Sequence, residues 1–343
     1  MNNPEMSIVT VNWNGWKDTI ECLESLYRGT HEDFKVIVVD NGSNDGSIEE
    51  LKKWADGKSR VQSRFFNCDS KIWPIEYIEC TAAELWNGGS TGTAEPAEKN
   101  KRGKTLFLMK SDKNHGFPEG CNIGIRFALS HFDPKYILIM NNDVVVSPTF
   151  IENLVIPMER DSSIGMASPK INWYDNPNLI WWGGCKINWW TGKIRTRCGE
   201  IDALEKQNTQ VDGVTGCCMI IRSKLFHEIG FLDPAYFISG YDTYEYSYRA
   251  AKKRYKLIYN PSSRIWHKYS KSAQKMPPTY HIINPIVHTI RFYSTCANFY
   301  QLPSILLFQL FRLLAVRFRF IVSFIYSRKS RDKLISILRS LRK

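Results

Sequence analysis

The sequence predicts an α/β protein built on a mostly parallel sheet, and three observations carry that reading. Short runs such as "SIVTVNWN" (Ser7 to Asn14) and "KVIVVD" (Lys35 to Asp40) are β-branched and apolar without alternation, as strands covered on both faces are. Each run leads through a turn-rich stretch into apolar residues at helical spacing. The strand–helix order then repeats, and parallel strands joined through helices cross over right-handedly. With 343 residues, 43% of them hydrophobic, there is room for one large domain and an appendage. We place the domain at 1–275, with a surface insertion at 67–104, and a helical tail at 276–343.

The elements follow in order. After the first strand, Ile20, Leu23, Leu26 and Tyr27 share a helical face, and Gly29 closes that helix. After the second strand, "SIEELKKWADG" reads as a helix with Ser47 as N-cap and Glu50 at the capping-box position. From Cys68 to Lys104 the chain is largely polar and Gly-rich, which predicts an extended insertion, although "KIWPIEYIEC" has strand character. "KTLFLMKS" resumes the sheet, "GCNIGIRFALSHF" is a helix and "YILIMNND" is the next strand. Asp40, Asn114 and Asp143 each follow a strand, so all three face the crevice at the carboxyl ends of the sheet. Further on, "LIWWGGCKINWWTGKI" predicts an aromatic-rich hairpin, and "VDGVTGCCMIIRSKLFHEIG" a strand and a short helix. "YDTYEYSYRAAKKRYKL" is a helix with Tyr241, Tyr244, Tyr248 and Ala251 as its apolar stripe. No internal repeat is visible.

Charge separates the tail from the body. From Arg312 onward ten basic residues face one acid, Asp332, so most of the net charge of +12 lies there. The basic residues are interleaved with long apolar runs, which fits one or two helices lying on an anionic membrane surface and argues against nucleic acid as a partner. Leu306, Leu307, Leu310, Phe311, Leu314, Phe318 and Ile321 would enter the acyl boundary. A spanning helix is disfavoured by Arg312, Arg317 and Arg319. Nine cysteines, an odd number with no Cys-x-x-Cys, suit a reducing compartment. The opening "MNNPEMSIVTV" has no signal-peptide pattern. Together these place the protein at the cytoplasmic face of a membrane, as a peripheral protein.

Several stretches carry candidate chemistry, each with an ordinary structural alternative. Asn141-Asn142-Asp143 ends an apolar run. It is either a strand-end turn or a site where a carboxylate holds a hard divalent cation against a diphosphate. "VVDNGSNDGS" is either an Asx turn or a backbone approach to a ligand. "NHGFPEGCNIGI" has the glycines of a phosphate-cradling loop, a common composition. Asp242, Glu245 and Arg249 fall on one helical face, which suits either a capping acid with an internal ion pair or a general base. His267 is either structural or a ligand.

Taken together these stretches resemble the GT-A glycosyltransferases of family 2, especially rhamnosyltransferase-like and galactofuranosyltransferase-like members. The resemblance covers about Met6 to Ser270. It implies the GT-A fold, a Rossmann-like, mostly parallel sheet with helices on both faces. "SIVTVNWNGW" is similar to the family's opening strand, which puts Thr10 and Asn12 in the nucleotide pocket. Asp40 matches the aspartate that contacts the base. Asn114, Gly116 and Asn122 match the segment touching base and phosphates. "MNNDVVVSP" matches the D-x-D motif, with Asn141 at the first position, Asn142 between, and Asp143 as metal ligand. His267 matches a late metal or diphosphate ligand. In "GYDTYEYSYR" Thr243 stands where the family's base usually does, which leaves Asp242, then Glu245, as candidates for it.

The resemblance implies a metal-dependent, inverting transferase. It would use Mg²⁺ or Mn²⁺ and a nucleoside-diphosphate sugar, and would glycosylate a glycan or lipid-linked acceptor in cell-surface polysaccharide or glycoconjugate synthesis. The alternative, favoured by Thr243, is a catalytically inactive sugar-nucleotide-binding or scaffold protein of a membrane glycan-assembly complex. A Rossmann dehydrogenase is disfavoured because no G-x-G-x-x-G follows the first strand.

Overall fold

The structure is a computed structural model and describes residues 6–67, 72–81, 104–202, 207–237, 240–269 and 278–311. Its first half alternates strands and helices: β1 (Met6–Asn12), α1 (Trp16–Tyr27), β2 (Phe34–Asp40), α2 (Ser47–Ala55), β3 (Tyr77–Thr81), β4 (Thr105–Lys110), α3 (Gly116–His131) and β5 (Tyr136–Asn141). Then come β6 (Val144–Val146), α4 (Phe150–Arg160), β7 (Ile164–Trp173), β8 (Ile180–Trp182), β9 (Cys185–Asn188) and β10 (Lys193–Thr196). The last elements are β11 (Thr209–Gln210), β12 (Cys218–Arg222), α5 (Lys224–Ile229), α6 (Tyr241–Lys252), β13 (Lys256–His267) and α7 (Pro278–Cys296).

The main sheet runs β11-β13-β7-β12-β5-β1-β2-β4-β3, with β6 added to β13 and β8 to β7. β5, β1, β2, β4 and β3 are mutually parallel. β12 runs against both β5 and β7, and β13 runs with β7. One consequence governs the rest: Asn12, Asp40, Asn141, Trp173 and His267 all end strands at the same edge of the sheet. The strand order reverses between β1 and β5, and the crevice at such a switch point is where ligands of α/β sheets bind.

Strand alternation sends neighbouring residues of β1 to opposite faces. On one face α3 lies close: a Cβ at Gly124 would come within 2.6 Å of Val9 Cγ1, and one at Gly120 within 3.0 Å of Val11 Cγ1. On the other face Asn12 reaches Thr19 of α1. The helices therefore cover both faces, and the central strands β1, β2 and β5 are buried nearly throughout.

Several local expectations are corrected. The N-cap of α2 is Gly46, and Ser47 is the first helical residue, its N–H and hydroxyl donating to Asp45 Oδ1. α3 starts at Gly116, so most of the glycine-rich stretch is helix, and Gly120 and Gly124 serve helix–sheet packing instead of a phosphate loop. β8 pairs with β7, so the hairpin is only β9–β10. β3 is an edge strand of the main sheet, so part of the segment expected as an insertion belongs to the fold. Residues 68–71 and 82–103 lie outside the described residues.

The chain divides into two compact units, 1–186 with 195–289, and 187–194 with 290–343. In the second, Trp189 stacks on Phe292 at 5.8 Å, and Gly192 O accepts from Tyr293 Oη at 2.7 Å and from Gln309 Nε2 at 2.9 Å. Residues 302–311 are helical. They bury Ile305 and leave Leu306, Leu307, Leu310 and Phe311 exposed. Among the described residues no helix is long and apolar enough to cross a membrane. The basic stretch, including Leu314, Phe318 and Ile321, lies outside the described residues.

Candidate active site

The shared edge carries three groups of side chains in order across the sheet. The first surrounds Asp40, at the end of β2. Its carboxylate is buried and accepts from Asn12 Nδ2 at 2.6 Å and from Ser43 N at 3.2 Å. Next to it, Asn41 donates to Asn114 Oδ1 at 3.0 Å and to Gly116 O at 3.1 Å, and accepts from His115 N. Asn114 Oδ1 also receives Gly116 N at 2.8 Å. This close approach requires Gly42: its φ is +73°, and a Cβ there would stand 2.6 Å from the Lys113 carbonyl carbon. Thr10 lies one turn of the pleat below Asn12, its hydroxyl buried without a hydrogen-bond partner among the described residues.

The second group sits at the switch point. Asn12 Oδ1 accepts from Thr19 Oγ1 at 2.8 Å, and Asn142 Nδ2 donates to Thr19 Oγ1 at 2.8 Å. Neither Asn41 nor Thr19 was among the residues expected. For Asn41 the usable signal is its place directly after Asp40. For Thr19 it is a polar residue on the first helix's inner face.

The third group joins β5, β6 and β13. His267 Nε2 stands 3.1 Å from Asp143 Oδ1 and 3.4 Å from Asn141 Nδ2, because β6 pairs His267 with Val144. Burial pushes the Asp143 carboxyl up, but His267 and Lys268 outweigh it, and the net shift is downward. The carboxylate is thus held ionised. Lys268 fastens this strand end to α1 through Asp18, at 2.6 Å, and Glu21, which also accepts from Tyr174 Oη.

Behind this edge, α6 presents an unexpected face. Its buried residues are Asp242, Thr243, Glu245, Tyr246, Ser247 and Ala250, so the stripe of Tyr241, Tyr244, Tyr248 and Ala251 is not the core face. Small hydroxyl side chains explain it. Ser247 Oγ donates to Thr243 O and accepts from Val214 N, and Gly216 lies close against Thr243, so the helix sits tightly on the 213–217 loop.

Asp242 is 1% exposed, and neither carboxylate oxygen has a hydrogen-bond partner among the described residues. Burial raises its pKa to about 7. The amides of Thr243, Asp242 and Gly240 lie near enough to lower it somewhat without closing hydrogen bonds, and Glu245 adds to the rise. Thr243 Oγ1 donates to Gly240 O, a local cap.

Glu245 is committed elsewhere. It forms a bidentate pair with Arg249, at 2.7 and 2.9 Å, and Arg249 also holds Phe231 O at 2.7 Å. We therefore expect Glu245→Gln to leave transfer within a few-fold of normal. Arg249→Ala should cost about 3 kcal/mol of stability in urea unfolding, because it strands a buried carboxylate. A dead Glu245→Gln of normal stability would reverse that assignment. Asn122 is also structural: its amide donates to Leu232 O at 2.8 Å and accepts from Leu232 N at 3.1 Å, which clamps the loop leading to α6.

The profile of the family described as Glycosyl transferase family 2 matches residues 7–69 and 85–230. The chain belongs to that family. The match to family 2 spans the first two groups, Asn141 to Asp143 of the third, and the clamp residue Asn122. Among curated proteins, the chain is 25% identical over 252 residues to the low-salt glycan biosynthesis hexosyltransferase Agl10 of Haloferax volcanii. That alignment spans 73% of this family 2 chain and 62% of the relative, so the chain accounts for less than two thirds of its relative's length.

Two solved structures share the fold of this family 2 chain. GalNAc-T7, solved with UDP, GalNAc and Mn²⁺, is 18% identical with a TM-score of 0.57, covering 85% of this chain and 49% of that one. The mannosyltransferase PcManGT from Pyrobaculum calidifontis, solved with GDP-Man and Mn²⁺, is 13% identical with a TM-score of 0.50, covering 97% and 83%. These likenesses establish the GT-A-type architecture.

The donor set of the third group fits a hard divalent cation in this family 2 site. Asp143 Oδ1 is buried and closes no hydrogen bond, and an imidazole and an amide stand beside it. Among the described residues no three His, Cys, Asp or Glu side chains converge on one point. The remaining ligands would therefore be diphosphate oxygens and water.

Proposed function

We propose that this protein is a nucleotide-sugar-dependent glycosyltransferase that transfers a hexose or deoxyhexose to an acceptor hydroxyl with inversion. The observation that carries the reading is the pairing of an ionised Asp143 beside His267 with a buried, unpartnered Asp242 of raised pKa. Asp143, His267 and Asn141 would hold Mg²⁺ or Mn²⁺, and the cation would supply positive charge for the departing diphosphate. Asp242 accepts the proton of the acceptor hydroxyl as that oxygen bonds to the anomeric carbon and the nucleoside diphosphate leaves. Asn12, Asp40 and Asn142 hold and orient the donor from its nucleotide end. The Mn²⁺ in the two related structures makes it the first metal to try. The test is a panel of nucleotide sugars with Mn²⁺, monitored for nucleoside diphosphate release with the product's anomeric configuration read by NMR. Absence of release from every donor overturns the reading, and a retained configuration overturns the direct displacement.

The acceptor we propose is a lipid-linked glycan at the cytoplasmic leaflet. Support comes from the exposed Leu306, Leu307, Leu310 and Phe311, followed in sequence by the basic stretch from Arg312. Basic residues near an anionic surface contribute about 1 kcal/mol each. The full chain is expected to sediment with anionic but not neutral liposomes and to be partly released by salt. The chain truncated after Gln301 should stay in the supernatant. Equal sedimentation of the two would reject docking by the tail.

A further inference from the structure

Next to the third group lies a cluster of rings that the donor reading leaves unused. Trp181 meets His267 edge to face, with centroids 4.5 Å apart. Tyr269 lies 5.8 Å from Trp181 and 5.5 Å from Trp173, and Trp173 packs against Trp181 at 6.5 Å. Exposure rises outward along the cluster, from 4% at His267 to 48% at Tyr269. Tyr269 has φ +54°, a conformation that costs a tyrosine free energy and that the packing must maintain.

We propose that Trp173, Trp181 and Tyr269 form a subsite for a sugar ring of the acceptor. The argument rests on the transfer reading above and on order along the sheet edge. The Asp40 group, the switch point and the His267 group follow one another across the strands, as the nucleoside and diphosphate of an extended donor would. The rings stand beyond the diphosphate end, where the acceptor must arrive. Pyranose C–H bonds carry partial positive charge on an apolar face, which complements the negative face of an aromatic ring. The opening towards Tyr269 leaves room for a longer glycan, whereas a transferred sugar needs enclosure. Trp181 also orients the His267 ring, so the discriminating substitutions are at Trp173 and Tyr269.

The experiment uses the full chain. Saturation-transfer NMR with methyl glycosides of glucose, galactose and mannose reads sugar binding, and calorimetry with UDP, GDP and their sugars in Mn²⁺ reads the donor side. At least one glycoside should receive saturation. Tyr269→Gly, which suits the positive φ, and Trp173→Ala should each weaken it about tenfold, while Tyr269→Phe keeps it. Nucleotide affinity should be the same in all variants. Absence of saturation of every glycoside on the unsubstituted chain, or no effect of removing either ring, overturns the subsite. Weaker binding of the nucleotide sugar with unchanged binding of the bare nucleotide would place the transferred sugar there and overturn the acceptor assignment. If no nucleotide binds the unsubstituted chain, the transfer reading fails, and the glycoside arm still decides whether the rings bind sugar.

Discussion

Asp242→Asn is expected to bind the donor normally and to lose transfer by ~10²–10⁴, the usual cost of removing a general base. The isosteric amide keeps the fold but cannot take the acceptor's proton. In the unsubstituted protein, transfer should rise with pH through about 7, where the carboxyl ionises. The groups that act on this carboxyl are the Thr243, Asp242 and Gly240 amides, Glu245, and the neighbouring Cys121 and Tyr244. The same residue should weaken the fold. Its pKa is raised from 3.8 to about 7 on folding, so the folded state holds the proton more tightly. The stabilisation from that proton is complete below the unfolded pKa and is lost as pH rises to about 7. At about 1.4 kcal/mol per pKa unit the loss amounts to a few kcal/mol. Asp242→Asn should therefore raise the melting temperature at pH 8, by an amount that shrinks towards pH 5. Normal transfer by the variant would remove Asp242 from the chemistry.

Asp143→Ala is expected to abolish the metal dependence of donor binding. Calorimetry with a nucleoside diphosphate should show an affinity that no longer responds to Mn²⁺. Thermal unfolding without metal should change little, because the carboxylate closes no hydrogen bond and only its pairing with His267 is lost. Metal binding that persists at full strength would move the cation away from β5.

Much of this architecture was legible in the chain. The runs from Ser7, Lys35, Lys104 and Tyr136 became β1, β2, β4 and β5, because a strand buried on both faces has to be apolar without interruption. Asp143 and His267 were each read as strand-end residues, and the sheet brings them to 3.1 Å. The pairing itself was not legible. It depends on β6 running against β13, a contact between residues more than a hundred positions apart that local pattern does not encode. The face of α6 was misread for a related reason. Tyrosines look more apolar than Thr243 or Ser247, yet the surface that receives the helix is the Val214 amide and Gly216, which small hydroxyl residues fit better. Asn122 likewise matched a ligand-binding motif, but its partner, Leu232, is visible only once the chain has folded back.

That return contact constrains how such a protein can be recombined. α3 begins beside Asn114, in the group nearest the nucleoside end, and it is bound to the approach to α6 at two places: Asn122 with Leu232, and Phe117 N with Phe237 O at 2.7 Å. Gly116 has φ +80° and is packed so tightly under Phe237 that a Cβ would come within 2.5 Å of its ring. The segment that positions the nucleotide and the segment that positions the base are thus not independent modules. A chimera that imports residues 1–130 from a relative with another nucleotide preference must import that relative's counterpart of 231–237 with them, or displace the helix bearing Asp242. Changes of donor preference in this lineage would then be inherited as matched pairs of segments far apart in the chain.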